Sequence, residues 1–582
     1  MAPRVAPPET HGALPGKTLP PSRTRVRFTA MPSRYGLIVL GSALLMIGSV
    51  TYVPLGPQAY TPGRELLAFL STTGGLALVF GASLPVHAPD RWRRWYARAR
   101  HVALVVSLPL VFGTFATNAG VAFLTLYAPA AESYATDIVS FAHVNAELTL
   151  EGRNPYTSDD VFRQALARFP LATGTPLRGE TFGTGLEHPG PLRLFTVQRE
   201  YVRDPEAYAD AYDPHTLHSY PALSFLIYAP LLWAGLGNIL ILDAVVYWLL
   251  LAWLIWLAPA GWRHWAALVG IAAMPVMAAS LLPSIDIVGF ALALVAWHVR
   301  DRRWLSSGLF GLALAYKQLI WFFIPFFALD ILFTYGWREV VKRGALVLGA
   351  FLLPNLPYII ASPQAWFESM WLPMSEPLFA TGMGIIALSI GHIIPYAPPL
   401  AYALFELAAL GVALWAYARW RSRIGDGVLI LALLPLFFAL RSSATYFAFM
   451  PWFALYAVNR FYTPRVPPQP SPVVDAAARA VGWLRARRAT LWPQLARRFK
   501  AVWRLISLTW RHAPAEARPR RARPRGAGRT TRRRPAPRAY SPRLRMAIKA
   551  SCGISTLPTR FMRFLPSFCF SSSLRLRVTS PP

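Results

Sequence analysis

The feature that most constrains the fold of this chain is a series of apolar blocks, each near the length that crosses a bilayer. The first blocks cover residues 36–54, 63–86 and 102–128, and more follow between residues 221 and 458. A helix of about 20 apolar residues spans the hydrocarbon core. Apolar residues make up 54% of the chain and charged residues 15%, which argues against a set of soluble domains. We therefore predict an all-α polytopic membrane protein, a bundle of about 11–13 transmembrane helices.

Basic residues set the orientation of the bundle, because short cytoplasmic connections are enriched in Lys and Arg. Arginine-rich connections lie at 91–100, 300–303, 337–343 and 419–423. They predict that the polar stretch 129–218 is one large extracytoplasmic loop. The predicted organisation is a disordered N-terminal tail at 1–34, three transmembrane helices in 35–128, the loop at 129–218, the remaining helices in 219–460, and a basic cytoplasmic tail at 461–582.

The apolar segments after the loop are compatible with two arrangements of spans. Four apolar segments, near 221–236, 239–258, 264–282 and 285–299, precede the basic residues at 300–303, where an odd number of crossings is required. One segment is therefore re-entrant, or two are merged. Further predicted elements are a hairpin over 305–334 with Lys317 near its outer turn, spans at 345–361 and 400–418, and a last pair at 427–440 and 445–458.

The net charge of +32 comes mostly from the C-terminal tail, which contains 27 Lys or Arg residues and two acidic residues. Nucleic acid is therefore not expected as a partner of the core. An apolar stripe near 491–510, flanked by arginines, predicts an amphipathic helix on the anionic inner leaflet. Arg518–Arg538 is of low complexity and predicts disorder. The two cysteines, Cys552 and Cys569, also lie in this tail and indicate neither a disulfide framework nor a thiol metal site.

The loop at 129–218 holds 13 of the 27 acidic residues of the chain, which suggests a site for chemistry or ligands. Asp137 follows the third predicted span and stands near a predicted helix start at Thr136. A carboxylate there could accept a proton from a substrate hydroxyl. The alternative is a helix cap or a solvated group. His143 and Glu147 are four residues apart and would share a helix face, but two residues do not make a metal site.

Three motifs, taken in order, resemble a known family. They are Tyr134-x-x-Asp137 after a span, Gly152-Arg153-Asn154-Pro155-Tyr156, and Tyr220-Pro221-Ala222-Leu223 at the start of the next apolar run. Over about residues 100–460 the chain resembles the GT-C type of polyprenyl-phosphate-sugar-dependent glycosyltransferases, in particular the bacterial mannosyltransferases of glycosyltransferase family 87.

The resemblance implies that a hexose, with mannose expected, passes from a polyprenyl-phosphate donor to an extracytoplasmic glycan or lipid acceptor, with inversion. Asp137 is the position matching the catalytic base. Many GT-C enzymes carry two adjacent acids there, whereas this chain has Thr136-Asp137, so a divalent-metal requirement stays open. The implied location is the plasma membrane of a bacterium.

The leaving phosphate needs positive charge, for which the candidates are Lys317 and Arg441. A lysine inside a membrane hairpin costs about 3 kcal/mol and should have a partner. That partner is either the lipid phosphate or an internal carboxylate such as Asp286, unless Lys317 snorkels to the interface. The alternative for Arg441 is that it is a charge flanking a span at the membrane interface. Asp286 either binds acceptor, orients Lys317 or caps a helix.

The remaining candidates for acceptor or sugar binding are polar or aromatic residues of the motifs. Tyr156 and Tyr220 could stack on a sugar ring, although aromatic residues at a membrane boundary are usually belt residues. The full predicted set is Arg153, Asn154, Tyr156, His218, Tyr220 and Asp286.

A transporter or flippase of lipid-linked sugars or small solutes is the alternative function. Such a protein should carry its polar residues near the bilayer midplane and show related halves. The concentration of acids in one external loop favours the enzyme.

Overall fold

A computed structural model describes residues 22–52, 60–84, 130, 134–158, 161–212, 218–281 and 285–462. The predicted third span at 102–128 and the predicted amphipathic helix at 491–510 lie outside these ranges, as does almost all of the basic tail. The described ranges are mostly helical, as the apolar blocks predict, and belong to a polytopic all-α membrane protein.

The helices of the N-terminal part and the loop are α1 (Ser22–Tyr52), α2 (Pro62–Ser83), α3 (Asp137–Leu150), α4 (Val161–Arg168), α5 (Pro191–Arg203) and α6 (Ala209–Tyr212). The helices that follow are α7 (Leu223–Leu226), α8 (Ala229–Trp233), α9 (Leu240–Leu257), α10 (Arg263–Leu281), α11 (Ile287–His298), α12 (Arg303–Leu314), α13 (Ile324–Tyr335), α14 (Trp337–Ala361) and α15 (Pro363–Ser375). The chain continues with β1 (Thr381–Gly382), α16 (Ile385–Ile390), α17 (Pro399–Ile424), α18 (Val428–Leu431), β2 (Arg441–Ser442), α19 (Ala444–Phe447) and α20 (Met450–Tyr462). Short 3₁₀ helices cover Pro155–Thr157, Ala260–Trp262, Gln318–Phe323, Gly425–Gly427 and Leu434–Phe438.

Six stretches in the described ranges are long and apolar enough to cross a membrane, and two shorter apolar helices accompany them. The six are Arg34–Thr51, Pro62–Ser83, Leu240–Leu257, Gln318–Tyr335, Trp337–Ala361 and Pro399–Leu431. The shorter pair is Leu223–Trp233 and Ile287–His298. The spans predicted at 239–258 and 345–361 therefore correspond to long helices.

Three predictions need correction. The helix α1 begins at Ser22, so the end of the predicted N-terminal tail is helical. The segment 221–236 is two short helices, α7 and α8, and Pro230 in the first turn of α8 lacks the amide hydrogen that a continuous helix needs. The predicted spans 427–440 and 445–458 are likewise interrupted, the first by a 3₁₀ turn that starts beside Pro435 and the second between α19 and α20.

The first two spans pack closely through glycines. A Cβ atom on Gly41 would lie 2.9 Å from the carbonyl oxygen of Gly75, and the reverse distance is also 2.9 Å. Small residues let the backbones of membrane helices approach each other. Gly75, which weakens α2 as an isolated helix, therefore stabilises the α1–α2 pair.

Basic stretches that we predict to be cytoplasmic meet in one ion-pair network. Arg300 Nε lies 3.2 Å from Asp330, and Arg421 Nη2 lies 2.8 Å from the same carboxylate. Arg303 Nε lies 2.6 Å from Glu339. The connections at 300–303, 337–343 and 419–423 are thus at one end of the bundle, as the common cytoplasmic location predicts.

The loop has a small apolar core of its own. Its members come from α4, α5, α6 and the turns between them, with one residue from a distant segment: Phe162, Leu166, Phe182, Leu194, Val197, Tyr201, Ala211, Tyr212 and Phe379. Phe379 follows α15, so the segment after that helix is built into the loop.

Candidate functional site

Asp137 is the first residue of α3, and backbone donors hold its carboxylate. Its Oδ1 accepts a hydrogen bond from the amide of Ile138 at 2.8 Å, and its Oδ2 accepts one from Thr175 at 2.7 Å. The Asp137 amide itself donates to the carbonyl of Thr173 at 3.0 Å. A negative charge is favourable at a helix N-terminus. Because a carboxylate has about four lone-pair sites, Asp137 keeps capacity to accept a proton.

Three short backbone pairings connect Asp137 to the C-terminal half of the chain. Thr136, which precedes Asp137, forms an isolated β-bridge with Thr173. Leu177 then bridges Leu378, and the amide of Arg178 donates to the carbonyl of Pro377 at 2.9 Å.

The third pairing brings in Arg441. Thr381 and Gly382 of β1 pair in parallel with Arg441 and Ser442 of β2. Residues 137, 376–378 and 441 are therefore parts of one connected backbone framework, although they are far apart in sequence.

Glycine is required where β1 meets β2. Gly382 has a φ of 146°, and a Cβ there would lie 2.5 Å from the carbonyl oxygen of Ser442. A Cβ on Gly384 would lie 2.0 Å from the carbonyl oxygen of Phe437. No side chain fits at either distance, so both glycines fix the position of the strand that carries Arg441.

Tyr220 lies where several candidates converge. The Nζ of Lys317 is 5.0 Å from the centre of its ring. Burial raises the pKa of the Tyr220 phenol, the charges of Asp137 and Asp286 raise it further, and that of Arg441 lowers it. Tyr220 is therefore close enough to Asp137, Asp286 and Arg441 to feel the charge of each.

The backbone of the 219–223 segment is tied to the break between α12 and α13. Gln318 Nε2 donates to the carbonyl of Ser219 at 2.5 Å, and the amide of Leu223 donates to the carbonyl of Ala315 at 3.1 Å. Lys317 lies between these two contacts in the chain. The interrupted helix thus presents Lys317 beside Tyr220, near the turn where the hairpin pattern predicted it.

Lys317 forms an ion pair with Asp286, which is the internal partner considered from the sequence. Lys317 is 9% exposed and Asp286 2% exposed. Asp286 is the N-cap residue of α11 but makes no side-chain capping bond there, so the structure gives no support to the capping alternative. A buried pair of this kind needs both charges, because either one alone would be uncompensated.

Asn154 and Tyr156 have structural partners in the Asn-Pro-Tyr turn. Asn154 Oδ1 accepts a hydrogen bond from the amide of Tyr156 at 3.0 Å. Tyr156 is fully buried, and its hydroxyl donates to the carbonyl of Tyr220 at 2.8 Å. The Tyr156 ring is therefore not available to stack on a sugar, and its contact fixes the backbone of Tyr220. Arg153 is exposed, and its Nη1 lies 3.4 Å from Oε2 of Glu151.

His218 is also an interior residue, at 1% exposure. Its Nε2 lies 2.7 Å from the hydroxyl of Ser224, and its ring packs against Tyr220 and Phe225. Burial lowers the pKa of His218 to about 3, so the imidazole is neutral. Direct contact with an acceptor, as predicted for His218, is not available in this conformation.

His143 and Glu147 share a face of α3, as their spacing predicts, at 3.1 Å. The other ring nitrogen of His143 lies 2.7 Å from the hydroxyl of Tyr134, which also accepts from the amide of Ile239. Arg168 completes the network through an ion pair with Glu147. This network ties α3 to the start of α9. Among the described residues, no group of three or more His, Cys, Asp or Glu is arranged to hold a metal ion.

Glu376 is a site residue that the sequence analysis did not select. It is half-buried and stands next to Pro377, whose carbonyl joins the framework above. Burial raises the pKa of its carboxyl to about 7; the charge of Arg441 lowers it and that of Asp137 raises it. The sequence did offer one signal for Glu376, namely an acidic residue in the segment that follows the 345–361 span and is predicted to lie on the extracytoplasmic side.

The long Gln318–Tyr335 stretch separates this site from the basic network. Lys317 precedes it, and Tyr335 at its far end donates a hydrogen bond to Asp301 at 2.7 Å. Six 3₁₀ residues and twelve α-helical residues rise about 30 Å together, close to the thickness of the hydrocarbon core. Lys317 and the arginine-rich connections are therefore at opposite ends of a membrane-spanning stretch.

Comparison with known proteins gives one match. Residues 218–443 match the family model of glycosyltransferase family 87. The match includes Tyr220, Asp286, Lys317, Glu376 and Arg441, and it begins after Asp137. No curated protein and no solved structure matches the chain. The family match supports a glycosyltransferase over the transporter alternative.

Proposed function

We propose a reaction for this chain on the premise that it is a GT-C-type, family 87-like glycosyltransferase. The reaction transfers a hexose, mannose in the first instance, from a polyprenyl-phosphate donor to a hydroxyl of a glycan or lipid acceptor on the extracytoplasmic side. The single observation that carries the proposal is the convergence of Asp137, Arg441 and the Lys317–Asp286 pair on Tyr220.

Asp137 is the general base in this proposal. Its two backbone hydrogen bonds fix the carboxylate while leaving lone pairs free to take the acceptor proton. The acceptor oxygen then forms a bond to the anomeric carbon as the bond from that carbon to the phosphate oxygen breaks. Attack from the face opposite the leaving group inverts the anomeric configuration.

Arg441 and Lys317 receive the leaving polyprenyl phosphate. The bond pair of the broken C–O bond stays on the phosphate, whose added negative charge these cations stabilise. Preorganised positive charge near a developing anion is often the largest contribution to catalysis. Asp286 holds Lys317 in place, and the hydroxyl of Tyr156 fixes the backbone of Tyr220 beside Lys317.

Membrane orientation follows from the opposite ends of the Gln318–Tyr335 stretch. The arginine-rich network belongs on the cytoplasmic side by the positive-inside rule, so Lys317 and its neighbours belong on the outer side. We propose the plasma membrane of a bacterium, where a polyprenyl-linked sugar reaches the site from the outer leaflet.

The experiment is transfer from radiolabelled polyprenyl-phosphate mannose in membranes that contain the full-length protein. Asp137→Asn should lower transfer about 10²- to 10⁴-fold, the usual contribution of a general base. Asp204→Asn is the matched control, because Asp204 is another loop aspartate that accepts from a backbone amide, that of Ala207 at 3.3 Å. Normal transfer by Asp137→Asn would remove the proposed base, and no labelled product from the wild-type protein would refute this donor.

A further inference from the structure

Asp243 is a buried acid that the proposed reaction does not use. It lies in the first turn of α9, inside the span Leu240–Leu257, and is 1% exposed. Its two carboxyl oxygens lie 3.1 and 3.0 Å from the hydroxyl of Tyr228. In the described part of the chain, no Lys, Arg or His pairs with it. A charge buried without a partner is so unfavourable that an acid in such a place normally holds a proton.

The start of α9 offers Asp243 no compensating amide. Negative charge is favourable where the amides at a helix N-terminus are free. The amides of Ile239 and Leu240 donate to side-chain oxygens at 3.1 Å each, and the next two donate to backbone carbonyls. These donors are therefore already used.

Two tyrosines extend a series of short contacts from Asp243 to the backbone of another segment. The hydroxyls of Tyr228 and Tyr316 are 2.7 Å apart, and that of Tyr316 lies 2.6 Å from the carbonyl oxygen of Ile285. Both tyrosines are fully buried. All three oxygen–oxygen distances in the series are those of hydrogen bonds, so each contact needs one proton.

The proton count of this series depends on Asp243. The two tyrosine hydroxyls supply two protons, and the carbonyl of Ile285 supplies none. If Asp243 were charged, one pair of oxygens would face each other at hydrogen-bond distance with no proton between them. A carboxylic acid has one O–H to donate. With it, Asp243 donates to Tyr228 and Tyr228 to Tyr316. Tyr316 then donates to Ile285, and all three contacts are satisfied.

We propose that Asp243 is a neutral carboxylic acid and a positioning residue for the Lys317–Asp286 pair. Tyr316 and Ile285, which form the last hydrogen bond of the series, directly precede Lys317 and Asp286 in the chain. The bond thus joins the two backbone segments that carry the pair. The neutral state of Asp243 does not depend on the reaction, whereas its effect on the donor rests on the proposed function.

The first test is infrared spectroscopy of the purified full-length protein in a maltoside detergent, which has no carbonyl group. The difference between wild-type and Asp243→Asn spectra should show the loss of a carboxylic acid band that shifts in heavy water. Loss of a carboxylate band instead would overturn the inference. If Asp243→Asn does not fold, Tyr228→Phe serves instead, because removal of its hydroxyl should shift the same acid band. An unshifted acid region in that variant would also overturn the inference.

Asp301→Asn is the matched control for this measurement. Asp301 also accepts a hydrogen bond from a tyrosine, Tyr335 at 2.7 Å, but it is exposed. Water stabilises the charge of an exposed acid, so this variant should lose a carboxylate band. Loss of an acid band in both variants would show that burial is not the cause and would overturn the inference.

The second test is the donor KM for transfer from polyprenyl-phosphate mannose. Tyr316→Phe removes the hydroxyl that holds Ile285 and should raise the donor KM about 2- to 12-fold, the effect of one hydrogen bond. Asp243→Leu should raise it in the same range. Asp243→Asn can still donate to Tyr228 and should recover most of that loss. A wild-type donor KM in Tyr316→Phe, or equal losses in the two Asp243 variants, would overturn the positioning role.

Tyr247→Phe is the control for the loss of a buried hydroxyl. Tyr247 also lies on α9 and is 1% exposed, and its hydroxyl makes no hydrogen bond in the described part of the chain. This variant should keep the wild-type donor KM, and a rise equal to that of Tyr316→Phe would overturn the positioning role.

The two measurements let this inference and the proposed function fail separately. If the wild-type protein transfers no mannose, the proposed reaction fails, and the infrared spectra still decide whether Asp243 holds a proton. If mannose is transferred but Asp243 proves to be a carboxylate, the reaction stands and the inference is refuted.

Discussion

Replacing Lys317 and Asp286 singly and together separates a structural role of this ion pair from a role in donor binding. The side chain of Lys317 is 11% exposed and that of Asp286 1% exposed. Removing one partner of a buried pair leaves a charge without its counter-ion and costs about 3–5 kcal/mol. Lys317→Met and Asp286→Asn should each lower the stability of the protein by about that amount.

The double variant Asp286→Asn/Lys317→Met removes both charges. Replacing a buried pair by neutral groups of similar volume is often neutral or stabilising. The double variant should therefore recover most of the stability lost in each single variant, measured as the midpoint of thermal unfolding in detergent micelles. Lys342→Met, which removes an exposed lysine on α14, is the control for the loss of one positive charge.

Donor affinity then distinguishes a phosphate-binding role of Lys317 from a purely structural one. A charge-assisted hydrogen bond contributes about 1.5–3 kcal/mol, so its loss corresponds to a donor KM about 10- to 150-fold higher. If Lys317 binds the leaving phosphate, the stable double variant should still show this increase in a transfer assay with polyprenyl-phosphate mannose. A double variant that is stable and has the wild-type donor KM would refute the phosphate role and leave Lys317 with a structural one.

Three other predictions concern groups that position the site. Gly384→Ala should abolish transfer because its Cβ would overlap the carbonyl oxygen of Phe437 and displace β2, whereas Gly349→Ala, with open space around its Cβ, should transfer normally. Tyr156→Phe leaves the Tyr220 carbonyl without its donor and should lower the free energy of unfolding by about 1–3 kcal/mol; an unchanged value would mean that water replaces the hydroxyl. The pKa of Glu147 is about 2, because hydrogen bonds from His143 and Arg168 outweigh the effect of burial. A lowered pKa gives stability that is fully present above the ordinary value of 4.5 and is lost as the pH falls towards 2, so acid unfolding monitored by circular dichroism should lose this component in Glu147→Gln.

Long, continuous apolar segments were predictable from the sequence because helix formation in lipid depends on local composition. The segment 239–258 is an example, and α9 covers Leu240–Leu257. Prediction failed where prolines interrupt an apolar segment. The stretch 427–440 has the hydropathy of a span, yet its backbone turns at Pro435 and forms a 3₁₀ helix.

The candidate site was only partly accessible to sequence reasoning. The Lys317–Asp286 pair could be anticipated, since a lysine in an apolar region requires a partner nearby. Glu376 could not be anticipated, because its position depends on backbone pairings between segments about 200 residues apart. Hydrophobic periodicity reports only local structure and does not predict such pairings. Tyr156 was expected to face a ligand, but the Asn154 cap turns it into the interior.

The parallel pairing of β1 with β2 has a consequence for biogenesis. Arg441 follows Asp137 by some 300 residues and belongs to nearly the last segment of the bundle to leave the ribosome. The backbone framework that links these two residues therefore cannot close until almost the whole bundle has been synthesised.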